Sequence, residues 1–224
     1  MLPITLWSHA IGPNPWKVAI ILEELEIPYT TKFINFAAAK EEPFLAINPN
    51  GRLPAMQDPN KGIDGITLWE SGAIVEYLIM QYDKSHKLSY DDDLKSSILC
   101  RQWLFFQVSG QAPYFGQAAW FINAHPEKLD SAIQRFCKEV VRVTGVLERA
   151  LRDNGGLWLV GDKCTYADLS FVPWQQKARK FGGEDLYEKY PLVGAWMEKM
   201  ERRDSVMKVG KDQEEAVMAA GGRV

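Results

Sequence analysis

Two short segments carry residue types suited to holding a small polar ligand. They are Asn48-Pro49-Asn50-Gly51-Arg52-Leu53-Pro54 and Glu70-Ser71-Gly72-Ala73-Ile74, which begins sixteen residues after Pro54. A proline that opens the short run Pro54-Ala55-Met56 has no N–H to give a sheet ladder. A proline at such a turn is a candidate for the cis form. A cis Leu53–Pro54 bond would turn the Leu53 N–H and C=O outward, toward a peptide-like ligand. In the second segment, Glu70 and Ser71 stand where an apolar helix begins. The free N–H groups of a helix start bind carboxylate, and Glu70 suits an ammonium. That pair fits an α-amino-acid group, and the Leu53 backbone fits the peptide unit beside it. A γ-glutamyl peptide satisfies both.

These residues need a scaffold. The chain has 224 residues, 46% apolar and 25% charged, with net charge −3. That is ordinary globular composition, long enough to bury a sizeable core in one large domain or two small ones. Mixed charge gives no electrostatic case for nucleic acid or an anionic membrane. No apolar run reaches membrane-spanning length. The start, Met1-Leu2-Pro3-Ile4, lacks the basic region and cleavage site of a secretory signal. Cys100, Cys137 and Cys164 are widely spaced and odd in number, which favours a reducing cytoplasm over a disulfide framework. His9, His86 and His125 show no metal-ligand spacing, and no metal site is expected.

Residues 4–7 read as a strand and Tyr29 to Ile34 as a second. Between them lies an apolar helix, with Asn14 as N-cap and Pro15 as first helical residue. Residues 53–57 and 66–69 read as two more strands, joined by turn chemistry at 58–62. A helix follows over 71–82. The order is thioredoxin-like. Polar composition over 84–93 marks a linker between a first domain, 1–83, and a second, 94–224. The second reads as all-helical, with helices over 94–123, 128–153, 165–181 and 189–202. Gly110-Gln111-Ala112-Pro113 interrupts the first of these, and Gly155-Gly156 ends the second. Thr165-Tyr166-Ala167-Asp168 is a capping-box variant with a folding role. Gly210 to Val224 carry little pattern and read as a mobile end.

Taken in order, Leu6-Trp7-Ser8-His9, Gly12-Pro13-Asn14-Pro15-Trp16-Lys17-Val18, Asn48 to Pro54, Leu68 to Leu78, Trp103 to Gln117 and Trp158 to Trp174 resemble the glutathione transferase superfamily. The resemblance covers nearly the whole chain. It is nearest to the fungal branch that includes the yeast nitrogen-catabolite regulator. It implies an α/β thioredoxin-like domain that binds glutathione and an all-α domain that lines a hydrophobic substrate site. It also implies a homodimer, with helices 71–82 and 94–110 as contact elements and Arg101 and Trp103 as participants.

A free thiol ionises near pH 8.5. Lowering that by about two units takes about 2.7 kcal/mol of preference for the thiolate. A neutral donor with a helix N-terminus supplies about that much. Between residues 5 and 20 there is no Tyr and no Cys, so the candidates are Asn14, Ser8 and His9. The resemblance matches Asn14 to an asparagine whose amide lies near the sulfur. The local reading makes it a helix cap bonded to Trp16 or Lys17, and both readings stay open. Where relatives commonly carry Gly after this Asn, this chain has Pro15, which removes one N–H from the sulfur's surroundings. Ser8 is the second candidate, its alternative being a solvated loop hydroxyl. Lys40 and Arg52 are the cations for the glycyl carboxylate. Leu53, Pro54, Glu70 and Ser71 complete the glutathione set. Tyr114, Trp120 and Phe121, beside the helix interruption, are the candidates for a hydrophobic electrophile.

The implied reaction is addition of glutathione thiolate to an electrophilic carbon, in detoxification or in tailoring of small molecules. A cis-trans isomerase working by reversible thiol addition needs the same site. Disulfide or peroxide reduction without an active-site cysteine would need a second glutathione or a disulfide ligand. A non-enzymatic glutathione-binding regulator is the remaining alternative. The chain shows no Asn/Gln-rich extension before its first strand, which weakens that last reading.

Overall fold

The computed structural model describes residues 1–60, 65–90 and 93–222. The chain forms two compact units, Met1–Ser85 with Arg202–Val224, and His86–Glu201. The C-terminal segment from Arg202, assigned above to the helical domain, groups with the first unit, and the second unit begins at His86, inside the expected linker.

The first unit holds a four-stranded sheet of order β2-β1-β3-β4. The strands are β1 (Ile4–Ser8), β2 (Tyr29–Phe33), β3 (Ala55–Asp58) and β4 (Ile66–Trp69). β1 runs parallel to β2 and antiparallel to β3, and β4 is antiparallel to β3. In β1, Ile4, Leu6 and Ser8 are buried, and Thr5 and Trp7 on the other face are half-buried. That is the period-two pattern of a strand with one face in the core. Between β1 and β2 lies α1 (Pro13–Glu24), in which Trp16 through Leu22 are all buried. A helix apolar around its circumference is one enclosed by other elements, and α1 packs on β1, on α2 (Ser71–Tyr82) and on the C-terminal helix α10 (Asp204–Ala219). Lys61 and Gly62 of the expected turn lie outside the described residues, as do Asp91 and Asp92 of the linker.

Residues 204–219 are helical, correcting the mobile end read from the sequence; Arg203 precedes the helix, and Arg223 and Val224 lie outside the described residues. Val206, Val209 and Val217 bury one face of this helix. The attachment is ionic as well. Glu24 of α1 accepts from Arg203 at 2.5 and 2.8 Å and from Ser205 at 2.5 Å.

The second unit contains α3 (Leu94–Phe106), α4 (Ala112–Asn123), α5 (Asp130–Asp153), α6 (Tyr166–Gln175), α7 (Ala178–Gly182), α8 (Leu186–Lys189) and α9 (Pro191–Glu201). Val140, Val143, Leu147 and Leu151 give α5 a buried stripe at helical spacing. It meets Phe115 and Ala118 of α4 and Trp174, Ala178 and Phe181 in one core. The capping box at Thr165 is present. The fully buried Asp168 carboxylate accepts from Thr165 N and Oγ1 with one oxygen, and from Leu159 N and Trp196 Nε1 with the other. No helix of the described residues is long and apolar enough to cross a membrane.

Candidate functional site

Strand register gathers the candidate residues. Ala55 pairs with Trp7 on one side and with Trp69 on the other. Ser8, Pro54 and Glu70 are each one step beyond these pairs, so all three leave the sheet at the same end. The loop after Ser8 leads into α1 and brings Asn14 there. Leu53 precedes the ladder, so the sheet does not use its N–H and C=O. The Leu53–Pro54 bond is cis.

The turn before Leu53 is built by Asn48. Its buried side chain donates to Arg52 O at 2.6 Å and accepts from Asn50 N at 3.0 Å. Gly51 has φ +61° and packs so closely on the neighbouring turn that a Cβ would meet Ala39 O at 2.8 Å. That neighbour is the 3₁₀ turn Ala38–Lys40. The two turns therefore bring Lys40 to the segment that holds Arg52. Lys40 Nζ lies 3.5 Å from Asn50 O, and both cations are exposed.

Glu70 is the N-cap of α2, with φ +68° and ψ 110°. Left-handed backbone is uncommon outside glycine. The carboxylate side chain is exposed, and Ser71, the first helical residue, is buried. An acid and a hydroxyl thus stand at the unpaired N–H groups of a twelve-residue helix.

The sulfur-side candidates differ from expectation in detail. Gly12 is the N-cap of α1, and Asn14 is its second helical residue. The cap reading of Asn14 is therefore corrected. Pro13 satisfies the preference for proline at the first helical position, so the cap falls two residues earlier than expected. Pro13 and Pro15 remove two N–H groups from the first turn. Ser8 is the last strand residue and 1% exposed, not a solvated loop hydroxyl. Its Oγ finds no hydrogen-bond partner among the described residues. His9 stacks on Phe36 at 3.7 Å and 6°. Its Nδ1 accepts from Ile11 N, and burial lowers its pKa. With Nδ1 occupied, His9 is poorly placed to act as a base.

Among the aromatic candidates, Tyr114 and Phe121 are seven residues apart and share one side of α4. Phe121 stacks on Phe136 at 5.5 Å and on His125 at 5.0 Å. Trp120 points elsewhere and is exposed. The helix interruption is a π turn, Gln107–Gln111, that joins α3 to α4 without a loop. Gly110 admits the Phe106 ring, which an added Cβ would meet at 2.8 Å. Buried amides fix this turn. Gln107 donates to Gln111 at 3.0 Å, Gln111 to Gln175 at 3.0 Å, and Gln175 to Thr144 at 3.3 Å. π turns of this kind recur at functional sites.

Two residues of the site region were missed. Lys17 is fully buried on α1, a visible anomaly among the apolar residues 16–22. Gln213 of α10 donates to Ala10 O at 3.3 Å, and Trp16 Nε1 donates to the same carbonyl at 2.9 Å, tying down the loop after β1. Gln213 left no signal, because its role exists only once α10 is docked.

A thioredoxin-like sheet with a cis proline facing an acid–hydroxyl helix start, followed by a helical unit, defines the glutathione transferase class. The family descriptions agree: Glutathione S-transferase, N-terminal domain, matches residues 2–79, and Glutathione S-transferase, C-terminal domain, matches residues 116–211. The chain belongs to the glutathione S-transferase family. It is 49% identical over 218 residues to the Glutathione S-transferase-like protein gedE of Aspergillus terreus, covering 93% of this chain and 95% of the relative. It is similar to the glutathione transferase URE2P6 of Phanerochaete chrysosporium, solved in complex with oxidized glutathione, at 44% identity and TM-score 0.89, covering 95% and 97% of the two chains. It is also similar to Ure2p in complex with glutathione, at 41% identity and TM-score 0.85, covering 92% and 97%.

Proposed function

We propose that the protein binds glutathione at the end of the sheet shared by Ser8, Pro54 and Glu70, and adds its thiolate to an activated carbon of a hydrophobic electrophile. The observation that carries this is the register of β1, β3 and β4, which sets Leu53-Pro54 beside Glu70-Ser71. Glu70 receives the γ-glutamyl ammonium, and Ser71 with the first N–H groups of α2 receives its carboxylate. Leu53 pairs its backbone with the cysteinyl unit. Lys40 and Arg52 attract the glycyl carboxylate. Asn14 donates to the sulfur, with Ser8 behind it as the second candidate. Tyr114, Trp120 and Phe121 supply an apolar aromatic surface to the electrophile. Two prolines thin the donors of the α1 start, so activation of the thiol is modest. The electrophile supplies much of the reactivity, which favours conjugated carbonyl compounds over simple halides.

Tailoring of a small molecule or detoxification is the proposed setting, in the cytoplasm. A homodimer is the proposed assembly. It is supported by the exposed apolar residues Leu94, Ile98 and Phe105 along α3. Trp103 turns instead into the second unit, against Phe106 and Phe171. Sedimentation at micromolar concentration tests the assembly, and a monomer mass contradicts it.

Incubation with reduced glutathione and a panel of Michael acceptors, followed by mass spectrometry, tests the reaction. Adducts with matching loss of glutathione support transfer. Isomerised alkene with glutathione unchanged assigns the isomerase reaction instead. A parallel incubation of reduced glutathione with an organic peroxide or a low-molecular-weight disulfide, in which that substrate is consumed as glutathione disulfide forms, assigns reduction instead.

A further inference from the structure

The buried face of α10 carries one polar residue where its pattern calls for an apolar one. Val206, Val209 and Val217 are buried. Gln213 stands four residues after Val209 and four before Val217, on the same stripe. It is half-buried, and a polar group so placed needs a partner. The partner lies in the loop between β1 and α1: Gln213 Nε2 donates to Ala10 O at 3.3 Å, across 203 residues of chain. That carbonyl has a second donor, Trp16 Nε1, at 2.9 Å. Ala10 O is therefore satisfied without Gln213, and what Gln213 adds is a hold on the loop from a second helix. At the other end of α1, Glu24 is bound by Arg203 and Ser205. Helix α10 thus runs antiparallel along α1 and ties both of its ends. The end at Ala10 leads from Ser8 to Asn14.

We propose that Gln213 is a positioning residue for the sulfur side of the site: its bond to the Ala10 carbonyl fixes the loop over residues 9–12, and with it Ser8 and Asn14 relative to the thiol of glutathione. This rests on the glutathione site proposed above. Gln213 does not touch the ligand. It acts through the loop, because donors already fixed in place need no reorganisation when the thiolate forms. The γ-glutamyl contacts at Glu70 and Ser71 do not depend on this loop. Loss of the tie therefore falls on the thiol and the chemical step, and leaves glutathione binding alone.

The test crosses Gln213→Leu with Val209→Ala. Gln213→Leu completes the apolar stripe and leaves Ala10 O its Trp16 donor, so it should melt no lower than wild type. The pKa of bound glutathione, read from thiolate absorbance, should nevertheless rise by about half a unit, a threefold loss of preference for the anion. Turnover of a Michael acceptor should fall about threefold, with KM for glutathione within about twofold. Amide exchange over residues 9–12 should quicken. Val209→Ala loosens the packing of the same helix without touching the loop. It should melt lower than wild type and keep the thiol pKa. Gln213→Met, which keeps the length without the amide, should repeat the Gln213→Leu result and is read alone if Gln213→Leu does not fold. An unmoved thiol pKa in the Gln213 variants overturns the inference, as does an equal rise in Val209→Ala. Wild-type protein that fails to bind glutathione, or binds it without lowering the thiol pKa, contradicts the proposed site and this inference together. A lowered wild-type pKa with indifferent Gln213 variants contradicts this inference alone.

Discussion

Pro54 and Glu70 leave the sheet side by side, because Ala55 pairs with Trp69 and each of the two residues is one step beyond that pair. The turn before β3 and the helix start carrying an acid thus emerge beside one another from adjacent strands. The consequences can be measured residue by residue.

Glu70→Ala should weaken binding of reduced glutathione by about 2–3 kcal/mol, the loss that follows removal of a charged hydrogen-bond partner. Isothermal calorimetry reads it directly. Unchanged affinity removes Glu70 from the site.

Asn14→Ala should raise the pKa of the bound thiol and slow turnover more than it weakens binding, because a donor to the anion acts in rate. Asn14 is the second helical residue and not the N-cap, so a loss of stability with the thiol pKa unmoved would assign it to the fold alone. Thiolate absorbance against pH in wild type and variant checks this. Equal pKa values move the role to Ser8 or to the remaining N–H groups of the α1 start.

Gly51→Ala should destabilise the protein by more than about 1 kcal/mol, since alanine is strained at positive φ and its Cβ would press on Ala39 O. The relief available is separation of the two turns, which draws Lys40 away from Arg52. Affinity for glutathione should fall more than affinity for γ-glutamylcysteine, which lacks the glycyl carboxylate. Equal losses for the two ligands contradict the assignment of Lys40 and Arg52.

Asp58 gives the first unit an acid-sensitive contact. Burial pushes its pKa up, but hydrogen bonds from Tyr82, Tyr77 and Asn60 outweigh this and hold it below the usual value. Tyr77 Oη donates to its Oδ2 at 2.7 Å, and Tyr82 donates to the same oxygen. A lowered folded pKa means stability present above the unfolded value, near pH 4, and lost as pH falls through the folded pKa. Urea unfolding should show Asp58→Asn less stable than wild type by about 1.5–3 kcal/mol near neutrality. The gap should close below pH 4. A gap independent of pH contradicts the sign.

The sheet order was legible in the sequence because each strand depended on local chemistry. Pro54, which has no N–H to give a ladder, stands just before β3, and Glu70 stands just before the apolar helix that begins at Ser71. Strand limits shifted by a residue or two, as hydrogen-bond pairing decides them. The cap of α1 was misplaced because two prolines, Pro13 and Pro15, both suit a helix start. The π turn was read as an interruption, since Gly110 and Pro113 signal a break and the buried Gln107–Gln111–Gln175 chain that bridges it joins residues 64 apart at its longest step. Helix α10 was missed because its ordering comes from Glu24, Arg203 and Ser205, a contact made across most of the chain. Lys17 was visible as an oddity among the apolar residues 16–22, but its burial required the packing of α1 against its neighbours.

The most direct measurement is a crystal structure of the protein with reduced glutathione. The account predicts the γ-glutamyl group at Glu70 and Ser71, the cysteinyl backbone paired with Leu53, the glycyl carboxylate toward Lys40 and Arg52, and the sulfur beside Asn14. Glutathione bound elsewhere, or with its γ-glutamyl group away from Glu70 and Ser71, would contradict it.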